Sequence, residues 1–189
     1  RDLHSFPTRR SSDLMALANV FIIGLRLFSD VGIGPSIIQN KRGDDPVFLN
    51  TIWTIQVLRG IVLWVSCLII TWPVAHFYNN PQLLWLMPVI GVIPLIEGFN
   101  STAVWSLNRH MAFGKIMMFE LVVQLSGLIV MLVWAFFNRT IWALAAGNVV
   151  TALAKMIFSH WLIPGISNRF TWEKEAANSI FSFGKWIFI

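Results

Sequence analysis

The chain has 189 residues, of which 56% are hydrophobic and only 12% charged, with ten Trp and one Tyr. Its mean hydropathy is +0.67. A soluble fold of this length cannot hide so many Leu, Ile, Val, Phe and Trp without large exposed apolar patches, so a soluble globular domain is excluded. The formal net charge of +5 would point to nucleic acid in a soluble protein. Here the basic residues sit between long apolar runs, and nucleic acid is not expected as a partner.

In chain order, the first stretch is set aside. His4 to Leu14 (HSFPTRRSSDL) reads like a translated sequencing-adaptor oligonucleotide, so residues 1–14 are expected to be an artefactual tail rather than structure. Without them Lys plus Arg falls from 14 to 11 (Arg1, Arg9 and Arg10 go) and Asp plus Glu from 9 to 7 (Asp2 and Asp13 go), leaving +4. Met15 then reads as an internal methionine, and the apolar run Trp186–Ile189 as a helix cut short. A spanning helix needs about 20 apolar residues. Such segments are predicted at 15–39, 48–75, 83–107, 116–137 and 141–163, with a truncated one at 177–189. No run alternates as a strand of an outer-membrane barrel would. The predicted fold class is therefore all-α, a polytopic transmembrane helical bundle over residues 15–189.

The connectors carry turn chemistry. Lys41–Pro46 holds Gly43 and Pro46, Tyr78–Pro81 holds two Asn and a Pro, and Asn108–His110 and Asn138–Thr140 are tight. Residues 164–176 are longer and mix Phe170 and Trp172 with Arg169, Glu173, Lys174 and Glu175. They read either as an amphipathic segment on the membrane surface or as a plain polar loop. Lys and Arg are unevenly shared. Lys41, Arg42, Arg109, Lys115, Lys155, Arg169, Lys174 and Lys185 flank alternate connectors, against Arg139 alone on the others. The positive-inside rule puts the first, third and fifth connectors in the cytoplasm. The lone Cys67 permits no intrachain disulfide or CxxC site.

Ionisable side chains at membrane depth cost at least ~2.5–3.5 kcal/mol each on insertion scales, so they face cavities, pair or work. Arg26 and Asp30 are four apart and share a helical face. Gly32–Pro35 follows and should bend or break the helix. The pair lines a cavity, or it only sets the position of the helix. Arg59 lies one turn from Gln56. Its planar fork suits a phosphate; the alternative is snorkelling to the cytoplasmic headgroups. Glu97 follows Pro88 and Pro94 and shares a face with Asn100 and Ser101 on what reads as a proline-bent helix. Glu120 shares one with Gln124 and Gly127. Either carboxylate could exchange a proton and couple transport to an ion gradient, or simply hydrogen-bond a neighbouring helix. Lys155 is expected to snorkel to the cytoplasmic face. There is no Walker A loop, GxGxxG or HExxH motif, and His4, His76, His110 and His160 are scattered. No cofactor, metal or catalytic residue is expected.

Four stretches carry a family resemblance. Leu27–Gln39 (LFSDVGIGPSIIQ) and Asn50–Gly60 (NTIWTIQVLRG) resemble the second and third helices of the bacterial oligosaccharide flippases. Gly98–Thr102 (GFNST) resembles their fourth helix, and Phe183–Trp186 (FGKW) the opening of their seventh. These are the polysaccharide and O-antigen exporters of the multidrug/oligosaccharidyl-lipid/polysaccharide superfamily, and the colanic-acid-type subgroup is most similar. The resemblance implies a two-lobed transporter of twelve or more helices in the bacterial inner membrane, with this chain as helices two to six and the start of seven. It implies transport of undecaprenyl-pyrophosphate-linked sugar repeats to the outer leaflet, and no enzymatic activity. Its partners would be the lipid-linked oligosaccharide, membrane lipids and other polysaccharide assembly proteins. Arg26 and Arg59, with Gln56 and Asn100, become candidate substrate contacts. Asp30, Glu97 and Glu120 become candidate ion-coupling groups. A drug or cation antiporter of the same fold is the alternative and would prefer an acidic cavity. A polysaccharide polymerase or acyltransferase would need a larger catalytic loop than these connectors provide.

Overall fold

A computed structural model describes residues 40, 42–111, 113–137, 140–161 and 168–187, with the isolated positions 16, 20, 23, 24, 34, 37 and 38. Most of the predicted first segment, including Arg26 and Asp30, lies outside the described residues. Six helices follow: α1 (Pro46–Phe77), α2 (Leu83–Gly98), α3 (Ala103–Arg109), α4 (Phe113–Phe137), α5 (Ile141–Trp161) and α6 (Lys174–Ile187).

Helix α1 starts where the chemistry of its first residues demands. Asp45 accepts from the Val47 amide at 3.0 Å, and Pro46 occupies the first helical position, where no N–H is missed. Along its length the hydroxyls of Thr51, Thr54, Ser66 and Thr71 donate to the carbonyl four residues back, which satisfies them in apolar surroundings. The turn into α2 uses Asn79 at φ 48°, a left-handed position that Asn tolerates.

The segment predicted as one helix over 83–107 is in fact broken. Helices α2 and α3 meet at 62°, and the bend falls at residues 99–102 rather than at Pro88 or Pro94, both of which lie inside α2. The backbone has other partners at the break. Phe99 and Asn100 N–H groups donate three residues back, at 3.0 and 3.1 Å. The Ser101 amide donates to Ser159 Oγ of α5 at 3.0 Å, and Ser101 Oγ accepts from the Ala103 amide at 3.2 Å. Helix propagation is thus exchanged for side-chain hydrogen bonds, the competition Ser commonly offers.

Helices α1, α4 and α5 are each long and apolar enough to span a bilayer, and the α2–α3 pair counts as a fourth if taken as one broken span. Helix α4 turns Met117, Leu121, Leu125, Leu128 and Leu132 outward, as a lipid-facing surface requires. The architecture is an all-α, polytopic membrane bundle. Helix α2 packs between α1 and α5, α4 packs on α5, and α6 on α1. One buried cluster joins Cys67, Leu83, Leu86, Met87, Ile90 and Ala145. A second, at the opposite end of α1, joins Phe48, Leu49 and Ile52 to Ala176, Ala177 and Ile180 of α6.

Three connectors meet at that second end. Arg42 donates to Asp45 and Glu173, at 2.6 and 2.9 Å. Arg109 pairs with Asp44 at 3.2 Å and donates to the carbonyls of Ile37 and Asn40. These are the connectors whose basic residues suggested one common side. Residues 168–173 form no helix; they lie along α1, with the amides of Arg169, Thr171 and Glu173 donating to Asn50, Thr54 and Thr51. The Trp53 and Phe170 rings pack beside them, tilted at 53° with centroids 4.7 Å apart. Of the two readings for 164–176, residues 168–173 are a loop, and 174–176 already belong to the next helix. Helix α6 begins at Lys174, three residues before the expected start.

Candidate functional site

One face of α1 carries Gln56, Arg59, Gly60 and Leu63, at i, i+3, i+4 and i+7. Gly60 brings α2 against this face: a Cβ there would stand 2.9 Å from the Pro94 carbonyl oxygen. Gly98 does the same from the other side, 3.0 Å from the Gln56 carbonyl oxygen. With the backbones this close, Gln56 Nε2 reaches the end of α2 and donates to the carbonyls of Glu97 and Asn100, at 3.0 and 3.4 Å. At the break the Glu97 carbonyl loses the Ser101 amide of a continuous helix, which donates to Ser159 instead, and keeps only the three-residue bond from the Asn100 amide. Gln56 therefore holds the broken end of α2 in place.

Beside this seam a cavity of ≈ 490 Å³ opens between α1, the α2–α3 break, α4 and α5. Gln56, Arg59, Glu97, Asn100 and Glu120 all line it, so every sequence-predicted site residue that is described falls on one cavity. Arg26 and Asp30 lie outside the described residues. Gly34, four residues beyond Asp30, does line the cavity, with a Cβ position 2.6 Å from the Trp105 ring. Asn100 Oδ1 is closed off from solvent and has no hydrogen-bond partner among the described residues. An amide oxygen left this way is an acceptor that a ligand donor can satisfy.

Two cavity residues were missed or misplaced by sequence reasoning. Lys155 does not snorkel. Its ammonium turns inward and donates to Glu120 Oε1 at 2.7 Å, with 32% and 36% of the two side chains exposed. The reason is that α4 and α5 lie side by side with both charges at one level, so a partner is nearer than the membrane surface. The signal was present as two mid-segment charges of opposite sign on consecutive helices. Trp105, on α3, lines the cavity because the chain bends at the break; the bend expected at Pro88 and Pro94 did not point to it. Gln124, expected on the same face as Glu120, is exposed.

Electrostatically, the described lining holds two cations, Arg59 and Lys155, and two carboxylates, Glu97 and Glu120. It is polar and charge-balanced, not of one sign. Among the described residues no three His, Cys, Asp or Glu side chains come together as a metal site would require. Outside the spans, the Arg42 guanidinium holds the Asp45 carboxyl below the usual carboxylate range, with the Val47 amide adding to the effect.

Comparison with known proteins bears on this cavity. The profile of a family described as polysaccharide biosynthesis protein matches residues 13–189. The teichuronic acid biosynthesis protein TuaB of Bacillus subtilis (strain 168) is 20% identical over 157 residues, which is 82% of this chain and 32% of that protein. The chain thus spans about a third of the length of this curated relative. No solved structure matches significantly. Together with the spanning helices, the family places the protein in the bacterial cytoplasmic membrane as a multi-pass protein. On a match that runs from residue 13 to residue 189, the chain belongs to the polysaccharide biosynthesis family of flippase-type membrane proteins.

Proposed function

We propose that residues 15–189 are most of the N-terminal lobe of a two-lobed transporter of twelve or more helices, and that residues 1–14 are adaptor-derived. The complete protein moves an undecaprenyl-pyrophosphate-linked oligosaccharide repeat from the cytoplasmic to the outer leaflet. The observation that carries this reading is the family match over 13–189. The cavity supplies the chemistry. Arg59 is permanently charged and forms bidentate hydrogen bonds to phosphate oxygens. Asn100 Oδ1 is an unmet acceptor suited to a sugar hydroxyl. Trp105 offers an apolar face against which a sugar ring can lie. Gln56 contributes mainly by holding the broken end of α2 that carries Glu97 and Asn100. Arg26 would extend the cationic side, and Asp30, Glu97 and Glu120 would exchange the coupling ion. Rocking of the two lobes around the site would then expose it to each side in turn. The partners are the lipid-linked sugar, surrounding lipids and other polysaccharide assembly proteins.

The test uses the complete gene without the adaptor-like tail. It is deleted, and lipid-linked sugars are assigned to the inner or outer leaflet, with wild type or Arg59→Ala supplied back. Repeat units are expected to accumulate on the cytoplasmic side and to be cleared by wild type alone. Normal outward delivery without the gene, in a strain with no redundant exporter, overturns the proposal. The two carboxylates in the cavity favour a second reading, a drug or cation antiporter of the same fold. Resistance to cationic dyes on expression, with no change in lipid-linked sugars, would select it.

A further inference from the structure

Among the described residues, Lys155 is the cavity cation that the proposed function leaves without a task. Its contact with Glu120 has the look of a strut between α4 and α5, but those helices are already seated without it. A Cβ on Gly127 would run into Thr151 Oγ1 and stand 2.9 Å from the Gly147 carbonyl oxygen, and one on Gly147 would stand 2.9 Å from Met131 Cβ. The backbones therefore touch two turns along from Glu120, the close approach by which small residues join membrane helices. An ion pair one-third exposed to a polar cavity adds little to such packing.

The same pair is well placed for another purpose. A lysine alone at membrane depth is costly, so an empty cavity can keep a free ammonium only beside a counter-charge. Glu120 supplies it at 2.7 Å, and the pair lines the same cavity as Arg59. A phosphate is a stronger assembly of acceptors for an ammonium than one carboxylate oxygen, and Lys carries three donors on a flexible stem. We propose that Lys155 is a second cationic contact for the phosphate groups of the lipid-linked substrate, and that Glu120 is its placeholder, displaced when the substrate enters. Displacement leaves the Glu120 carboxylate without its counter-charge, a cost that the bonds from Lys155 to phosphate must exceed. The assignment rests on the anionic-lipid reading given above.

The test separates the two. The complete protein is purified in detergent, and binding of undecaprenyl pyrophosphate is measured by native mass spectrometry for wild type, Arg59→Ala, Glu120→Gln and Glu120→Gln/Lys155→Met. The double variant removes both charges together and so keeps its fold where Lys155→Met alone would strand a carboxylate; thermal melting checks this. Glu120→Gln is expected to bind tighter than wild type, and the double variant about tenfold weaker than Glu120→Gln. Phosphatidylglycerol, measured alongside, is expected to show no such difference. Equal binding of undecaprenyl pyrophosphate by Glu120→Gln and the double variant, with Arg59→Ala weakened, overturns the role of Lys155 and leaves the anionic-lipid reading standing. Equal binding by all four proteins overturns both. A parallel loss for phosphatidylglycerol makes Lys155 a general headgroup contact and also overturns the assignment.

Discussion

The pair α1–α2 and the pair α4–α5 are closed by the same device, glycine meeting the facing helix, and differ in the side chains seen to link them. Between α1 and α2, Gly60 meets the backbone at Pro94–Leu95 and Gly98 meets it at Gln56–Val57, while Gly91 meets Cys67. Gly60 and Cys67 are seven residues apart, and so are Gly91 and Gly98, so the contacts recur two turns along one antiparallel seam. Side-chain donors of α1 reach backbone carbonyls across this seam: Gln56 Nε2 to Glu97, Trp53 Nε1 to Phe99 and Cys67 Sγ to Met87. Between α4 and α5 the close approach at Gly127 and Gly147 gives way to Glu120 and Lys155, where the helices flank the cavity. An ion pair is tolerated where α4 and α5 open onto the cavity because each charge there has its partner within hydrogen-bond reach, as the desolvation cost of lone ions requires.

The largest effects should come from the α1–α2 seam. Gly60→Ala and Gly98→Ala push a Cβ against backbone that cannot turn aside, and each should destabilise by roughly 1–3 kcal/mol, read as a lowered melting temperature in detergent. Gly91→Ala meets the Cys67 side chain instead and should cost less. Equal costs at Gly91 and Gly60 would mean that backbone contact does not set the seam. Gln56→Leu leaves the Glu97 and Asn100 carbonyls without their side-chain donor and should cost about 1–2 kcal/mol. It should also loosen the α2–α3 break, raising hydrogen exchange at residues 97–103; an unchanged exchange pattern there would remove Gln56 from its positioning role. Across α4–α5, Glu120→Ala or Lys155→Ala should each cost only about 1 kcal/mol, because the pair is partly wet. The double variant should recover part of that loss, and a double as unstable as the sum of the singles would show no coupling.

The smallest effect lies at the connector end. Asp45→Ala removes the cap of α1 and should cost about 0.5 kcal/mol. The Asp45 carboxyl is depressed, first by its hydrogen bond to Arg42 and then by the Val47 amide. Its contribution is therefore present above the ordinary carboxylate pKa of about 4 and lost as pH falls through the lower folded value. The difference in melting temperature between wild type and Asp45→Ala should shrink below that pH. A difference that persists unchanged would leave the capping hydrogen bond independent of the carboxylate charge.

Much of the bundle was legible in the chain itself. The helices at 48–75, 116–137 and 141–163 and the start near 177 lie within a few residues of α1, α4, α5 and α6. Hydropathy is a property of consecutive residues, and a helix satisfies its backbone within its own span, so spanning segments need no distant partner to be recognised. The charge asymmetry of the connectors is local in the same way. Gln56, Arg59, Glu97, Asn100 and Glu120 could be singled out because polar groups stand out against an apolar run. The break at 99–102 was not legible, because it depends on Ser159 of α5 accepting from the Ser101 amide. Nor was the inward turn of Lys155, because snorkelling and pairing cost the same in sequence terms until Glu120 is known to stand 2.7 Å away. The sequence by itself determined an all-helical membrane protein and the polar residues that would be expensive within it. Only the tertiary structure decided that these residues share one cavity, because that cavity is assembled from residues as far apart as Gln56 and Lys155 on five different helices.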